Sequence, residues 1–236
     1  MAFLGENMKL LLISDLHGKI ENLEKLRPQF ESSEAIVFAG DFTEFGKYET
    51  SLPAVKKLRE MHENIFCVLG NCDKTDLLEQ IEKQDMCCER GIVYFEGLAF
   101  SGSGGGSKFT GTTPNEREEG DLLSDFDVVR NSALDGEGQW NNLILVSHNP
   151  PKDTLCDECA PNVHVGSSML SDFVRETKPL TLVCGHIHEG RAIDKIGETV
   201  VINPGPLADG NYAVLEAEKF GGEWKVLKAE LKNLFA

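Results

Sequence analysis

The feature that most constrains this chain is a repeated punctuation. Five short apolar runs each end in a polar residue near glycine or in a histidine. Leu10–Ile13 runs into Ser14-Asp15-Leu16-His17-Gly18, Ala35–Ala39 into Gly40-Asp41, and Ile65–Leu69 into Gly70-Asn71-Cys72-Asp73. Leu143–Val146 runs into Ser147-His148-Asn149, and Leu180–Cys184 into Gly185-His186-Ile187-His188. Runs this short and apolar throughout are expected of strands covered on both faces. Helix-period stripes accompany them: Ile20, Leu23, Leu26 and Phe30; Leu52, Val55, Leu58 and Met61, with Pro53 near the start; and Met169, Leu170, Phe173, Val174 and Thr177. Strand–helix–strand alternation predicts an α/β fold with right-handed crossovers.

Other regions read differently. Ile92–Phe95 and Leu98–Ser101 flank Glu96-Gly97, a hairpin signal. From Arg191 onwards come short strands (Thr199–Ile202, Tyr212–Leu215, Trp224–Leu227) and no convincing helix, which predicts a second, more antiparallel sheet packed on the first. Gly102–Pro114 and His148–Gly166 read as long loops. With no internal repeat or clear boundary, a single domain over 1–236 is expected, with Met1–Asn7 as a flexible extension before a strand opening at Met8.

Lys plus Arg number 23 against 39 Asp plus Glu, a formal net charge of −16. That field repels phosphate and disfavours long nucleic acid as a partner, so any phosphate chemistry needs a local positive centre. The chain shows no run of transmembrane length and no leader pattern in Met1–Lys9, so no membrane partner is expected. Seven scattered cysteines, with Cys67 and Cys184 inside apolar runs, point to a reducing, cytoplasmic compartment.

Ligands of open α/β sheets bind beyond the carboxyl ends of the strands, so the residues that follow the five runs can converge. Asp15, His17, Asp41, Asn71, His148, His186 and His188 offer carboxylate or amide oxygen and imidazole nitrogen. Such a set suits Mn, Fe, Zn, Ni or Co, and seven donors fit two ions sharing a carboxylate better than one. Period two predicts Asp15 with His17, and His186 with His188, on one side of extended segments. Taken singly, each piece has an ordinary explanation: a capping Asp15, a turn at Gly40-Asp41 or Gly70-Asn71, a satisfied core His148. All five in this order point to a metal centre.

The series D-x-H, G-D, G-N-[HC]-[DE], a later H and G-H-x-H, running here from Asp15 to His188, resembles the calcineurin-like metallophosphoesterase superfamily. Asn203-Pro204-Gly205-Pro206 resembles a turn that follows in many members, and Cys72 resembles the Cys-bearing small archaeal and bacterial phosphodiesterases. The resemblance implies an α/β, two-sheet metallophosphoesterase sandwich flanked by helices in αββα layers. It implies that Asp15, His17, Asp41 and His188 hold a first divalent ion and Asp41, Asn71, His148 and His186 a second, with Asp41 bridging and manganese the first expectation. It further implies in-line attack on phosphorus by a metal-bridging hydroxide, with Asp41, Asn71 and His148 acting through that hydroxide and by positioning phosphate.

Many members carry His where this chain has Cys72, and that His can protonate the leaving oxygen. Two dications favour thiolate over thiol at Cys72, so the general-acid contribution is missing or supplied by another group, which predicts a preference for diesters or activated leaving groups. Asp73 is expected to orient its loop from behind the ligands. Two dications against Asp15, Asp41 and a hydroxide leave one positive charge, which suits a monoanionic diester and offsets the acidic mean field. The expected activity is hydrolysis of small or short-nucleotide phosphodiesters. A phosphomonoesterase and a non-catalytic scaffold on the same fold are the alternatives, the latter disfavoured because no ligand is missing. Oligomerisation carries no sequence signal.

Of the remaining features, His62 reads as a cation at a helix end. His164 either reaches the site as a substrate contact or caps and packs. Cys156-x-x-Cys159 lacks a second pair at zinc-site spacing, and Gly102–Lys108 lacks the Gly-Lys-[Ser/Thr] ending of a phosphate loop, so neither is assigned a function.

Overall fold

Strand β1 (Glu6–Ile13) shows how the apolar runs are used. Its Leu10 and Leu12 face one way and Leu11 and Ile13 the other, and each face meets a different core. A strand buried on both sides needs a continuous apolar run, which is what the sequence provides. The structure, a computed structural model, describes residues 6–132 and 140–236.

The further strands are β2 (Ala35–Phe38), β3 (Ile65–Cys67), β4 (Val93–Phe95), β5 (Leu98–Ser103), β6 (Gly106–Ser107), β7 (Glu116–Arg117) and β8 (Leu143–Ser147). They continue with β9 (Glu158–Ala160), β10 (Val163–His164), β11 (Thr181–Val183), β12 (Ala192–Ile196), β13 (Thr199–Asn203), β14 (Asn211–Phe220) and β15 (Glu223–Asn233). The helices are α1 (Ile20–Lys25), α2 (Arg27–Glu31), α3 (Ser51–Met61), α4 (Leu77–Glu82), α5 (Glu119–Ser124), α6 (Asp127–Ser132) and α7 (Ser168–Thr177).

Two sheets dominate. One has the order β15-β14-β1-β2-β3, the other β12-β13-β11-β8-β5-β4. β1, β2 and β3 run parallel, as do β5, β8, β11 and β13, while β14, β15, β4 and β12 are antiparallel additions. Leu10, Leu12, Val37, Phe66, Phe100, Val146 and Ile202 fill the space between the sheets. Leu23, Phe30, Val55 and Leu58 cover the outer face of the first sheet, and Phe126, Phe173 and Val174 that of the second. This is the helix–sheet–sheet–helix layering that the resemblance implies, but the chain after Arg191 builds no sheet of its own: β12 and β13 extend the sheet of β11, and β14 and β15 extend that of β1.

Several local expectations need correction. The stripe from Ile20 to Phe30 is two short helices, because Pro28 lacks an N–H and the chain restarts at Arg27. The first strand opens earlier than Met8: Glu6 pairs with Lys219 and Asn7 with Glu218, so only 1–5 of the expected extension lie outside the described residues. Gly102–Pro114 is partly strand, and His148–Gly166 contains the β9–β10 hairpin. No helix among the described residues is long and apolar enough to cross a membrane.

Candidate metal centre

The five punctuated strand ends meet where the two sheets adjoin. β1, β2 and β3 deliver Asp15, His17, Asp41 and Asn71 from one sheet, and β8 and β11 deliver His148, His186 and His188 from the other. The crevice is therefore a seam between sheets rather than a switch point within one.

The backbone at these ends leaves the strand abruptly. Asp15, His17, Asp41 and His186 all have positive φ, at 52°, 45°, 62° and 68°. Non-glycine residues rarely adopt this region, and such strain persists only where surrounding structure imposes it. It also corrects the period-two expectation: Asp15 and His17 are brought together by left-handed turns, not by an extended segment. The N–H of Asp15 donates to Gly40 O (2.9 Å) and that of His17 to Asp41 O (3.0 Å), which locks the first loop onto the second.

Asp73 ties the second loop to the third. Its carboxylate accepts from the N–H groups of Asp41 (3.1 Å), Phe42 (3.2 Å), Thr43 (2.9 Å) and Gly70 (2.8 Å) and from the Thr43 hydroxyl (2.5 Å). Burial and the neighbouring Asp41 charge push its carboxyl up to about 6, against the pull of these donors. Two glycines are fixed by crowding. At Gly40 (φ +93°) a Cβ would lie 2.7 Å from Gly70 N and 2.8 Å from His148 Nδ1, and at Gly185 it would collide with Ser14 Oγ and the Asp15 carboxylate.

Three groups of donor atoms converge: Asp15, His17 and His188; His17, Asp41 and Cys72; and Asp15, Asp41 and His148. His188 Nε2 lies 3.4 Å from Asp15 Oδ1, His17 Nε2 3.7 Å from Asp41 Oδ2, and His148 Nε2 3.5 Å from Asp41 Oδ2. Asn71 Oδ1 is 2.8 Å from His148 Nε2. The structure thus gathers six of the seven sequence-predicted donors closely. His186 stands at the margin, outside these three groups, with its ring centroid 5.1 Å from that of His148 and its N–H 3.2 Å from Asp15 Oδ2. Cys72, left out of the expected ligand set, has its sulfur inside one group.

The donor chemistry fits cations. Asp15 and Asp41 are only 1% and 2% exposed, and their ion-pair partners among the described residues are histidines, not Lys or Arg. Two carboxylates buried this deeply need positive charge from somewhere. His17 Nδ1 faces Thr43 O (3.1 Å) and His148 Nδ1 faces Ala39 O (2.6 Å). A ring nitrogen facing a carbonyl carries the proton, so each Nε2 turns a lone pair inward. The inward Nε2 of His148 then meets Asn71 Oδ1, acceptor against acceptor, and His17 Nε2 lies 3.3 Å from His188 Nε2. An imidazole lone pair aimed at an amide oxygen calls for a cation between them.

The titration behaviour follows the same geometry. Burial opposes ionisation of Asp15, but contact with His188 and the fields of His148 and His17 outweigh it and hold that carboxyl well below its usual range. Contact with Asp15 raises His188, while burial and His148 push His186 down to about 4. Burial, then the Asp41 charge, raises the Cys72 thiol far above its ordinary value.

Other sequence candidates settle elsewhere. His164 Nδ1 pairs with buried Asp157 (2.8 Å), and that contact raises its pKa. Cys156 is buried with its sulfur toward Ala192 O and Val201 O, so it does not pair with the partly exposed Cys159. His62 ends α3 and bridges Asn64 O and Ser33 O. Sequence reasoning missed the supporting carbonyls of Ala39 and Thr43, for which side-chain identity gives no signal. It noted Asn203-Pro204-Gly205-Pro206 without a role. Asn203 Nδ2 donates to Ile187 O (2.8 Å), and Leu207 N–H to Ser14 O (2.8 Å), so this turn props up two of the site loops.

The chain belongs to the calcineurin-like phosphoesterase family, which matches residues 8–190. It is 33% identical over 219 residues to the uncharacterized protein MJ1162 of Methanocaldococcus jannaschii, covering 90% of this chain and 93% of that one. Its fold is similar to that of TT1561 of Thermus thermophilus, with a TM-score of 0.70 at 16% identity over 97% of this chain and 100% of the other. It is also similar to GAP50, the anchor in the inner membrane complex of Plasmodium, with a TM-score of 0.53 at 16% identity over 96% and 89%. Membership of the family supports hydrolysis of phosphoesters, and the Asp/His groups are of a kind that could hold metal.

Proposed function

We propose that this protein is a phosphodiesterase that works with two divalent ions, manganese first among them, on small or short-nucleotide diesters. One observation carries the reading: two buried carboxylates and the inward Nε2 atoms of His17, His148 and His188 converge at the seam between the sheets. Asp15, His17, Asp41 and His188 would hold one ion, and Asp41, Asn71, His148 and His186 the other. When bound, the ions polarise phosphoryl oxygens and bring the pKa of an attacking water toward neutrality.

The chain's own groups do the positioning. Cys72 N–H holds Asp41 Oδ1 (2.8 Å) and leaves Oδ2 facing the histidines. Thr43 O and Ala39 O fix the tautomers of His17 and His148. With two ions bound beside it, Cys72 would be held as thiolate with no proton to give, so substrates whose leaving oxygen needs little help are favoured, and these are diesters with good leaving groups. The net charge of −16 keeps long polyanions away while a single local phosphate is accommodated. A purely anchoring role on this fold would not require every carboxylate and imidazole of the set, and all are present.

The reading is tested by stripping the protein with a chelator and reloading it with Mn, Fe, Ni, Zn or Co singly. Each form is then assayed on bis(p-nitrophenyl) phosphate and p-nitrophenyl phosphate. Metal-dependent turnover with the diester preferred is expected. No turnover with any ion overturns the proposal, and a preference for the monoester replaces it with a phosphomonoesterase.

A further inference from the structure

The segment from Gly104 to Glu116 is tied down at both ends and at its tip. Gly105 N–H donates to Leu69 O (3.0 Å), and Asn115 N–H to Asn71 O (3.1 Å). At the tip, the Glu116 carboxylate accepts from the N–H groups of Phe109 (2.8 Å), Gly111 (2.9 Å), Thr112 (3.1 Å) and Thr113 (3.2 Å) and from the Thr113 hydroxyl (3.0 Å). These donors, Phe109 N–H foremost, hold the Glu116 carboxyl down to about 2, so the knot persists at physiological pH. The knot presents Phe109 with 93% of its surface exposed, which gives the ring no part in any core.

Phe109 borders a cleft of about 320 Å³ that opens onto Asn71 and His186, with Ile187, Val165 and Cys159 also in its lining. That volume is near the lower end for small-molecule sites and admits one ring system with its linker, not a polymer. The charged groups of the lining are already engaged. Lys108 Nζ is paired with Glu118 (2.5 Å), and the oxygens of Glu116 are spent on the loop. The cleft therefore offers apolar and aromatic surface beside a site for one phosphate, and no unpaired cation for a second anion.

We infer that this cleft receives a neutral, flat aromatic ring carried on one ester arm of the diester, with Phe109 as the stacking residue and Glu116 as the positioning residue that holds the Phe109 loop in place. The inference rests on the phosphodiesterase reading for the placement of the phosphate. A nucleobase and a plain aryl group share this chemistry.

The test is calorimetric binding to the manganese-loaded protein of three monoanionic probes: adenosine 5′-methylphosphonate, benzyl methylphosphonate and ethyl methylphosphonate. Stacking of a base on an aromatic side chain predicts that the ring-bearing probes bind about tenfold to a hundredfold more tightly than the ethyl probe. In Phe109→Ala the ratio should fall toward one, Phe109→Trp should restore it, and Glu116→Ala should lower it. A tighter adenosine probe identifies a base as the occupant, and an equal or tighter benzyl probe identifies a plain aryl group. Equal affinities for ring and ethyl probes in the wild type, or a ratio unmoved by Phe109→Ala, overturns the inference even if diester turnover is intact. Ring preference without turnover instead leaves the cleft standing and removes the proposed activity.

Discussion

At the scale of single residues, Asp41 bears the heaviest demand. One oxygen is held by Cys72 N–H at 2.8 Å while the other faces His17 and His148, and its backbone sits at positive φ. Asp41→Asn preserves the shape but removes the negative charge that would join two ions. Partners that merely support metal ligands are worth about 10–100-fold in affinity or activity, so this substitution should exceed the upper end of that range. Elemental analysis of metal per chain, alongside the diesterase rate, checks it, and full turnover in the variant would refute a shared carboxylate. Cys72 bears on a different property, the proposed preference for diesters. A histidine there would supply a general acid, a group worth about 10²–10⁴ in rate where the leaving oxygen is poor. Cys72→His should therefore raise monoester turnover relative to diester turnover. The ratio is the readout, because a bulkier ring at a buried position lowers absolute rates for reasons of packing. A ratio that stays put would show that Cys72 does not set the preference.

At the scale of elements, what could be read from sequence depended on how much each segment buries. β1, β2, β3, β8 and β11 are legible because they are apolar on both faces. α7 is legible because ten residues carry a full stripe. The six-residue helices α4, α5 and α6 bury one or two side chains each and leave little pattern to find. The left-handed turns at Asp15, His17 and His186 are invisible to periodicity, since tertiary contacts impose them. The sequence positions that converge at the seam were therefore legible, and their mutual geometry was not. The start of α7 offers a direct check on local energetics. Ser167 Oγ accepts from Leu170 N–H at 3.0 Å and donates to Glu119 at 2.5 Å, joining α7 to α5. Ser167→Ala should cost about 1 kcal/mol. A urea midpoint equal to wild type would show that Glu119, which also accepts from Met169 N–H at 2.9 Å, caps the helix unaided.

At the scale of the whole molecule, the candidate site depends on two sheets keeping their relative position, and Glu89 lies across their junction. Its Oε1 accepts from Leu69 N–H at 2.6 Å, just beyond β3 of the first sheet, and packs where a Cβ on Gly104, just beyond β5 of the second, would fall. Burial, opposed by the Leu69 donor, moves its carboxyl from 4.5 up to about 7. The folded protein thus holds this proton more tightly than the unfolded chain does. Its contribution to stability is full below the unfolded value and is lost as pH rises through the folded one, so stability falls with pH between about 4.5 and 7. A shift of that size corresponds to something on the order of 3 kcal/mol. Glu89→Gln mimics the protonated acid, retains an oxygen for Leu69 and carries no charge to desolvate. The difference in unfolding free energy between variant and wild type should be small at pH 4, grow through pH 6 and level off in the variant's favour above pH 7. Other titrating groups cancel in that difference, which isolates Glu89. Urea unfolding of both proteins at pH 4, 5, 6, 7 and 8 measures it, and a difference that does not vary with pH would mean that Glu89 is already ionised in the junction at low pH.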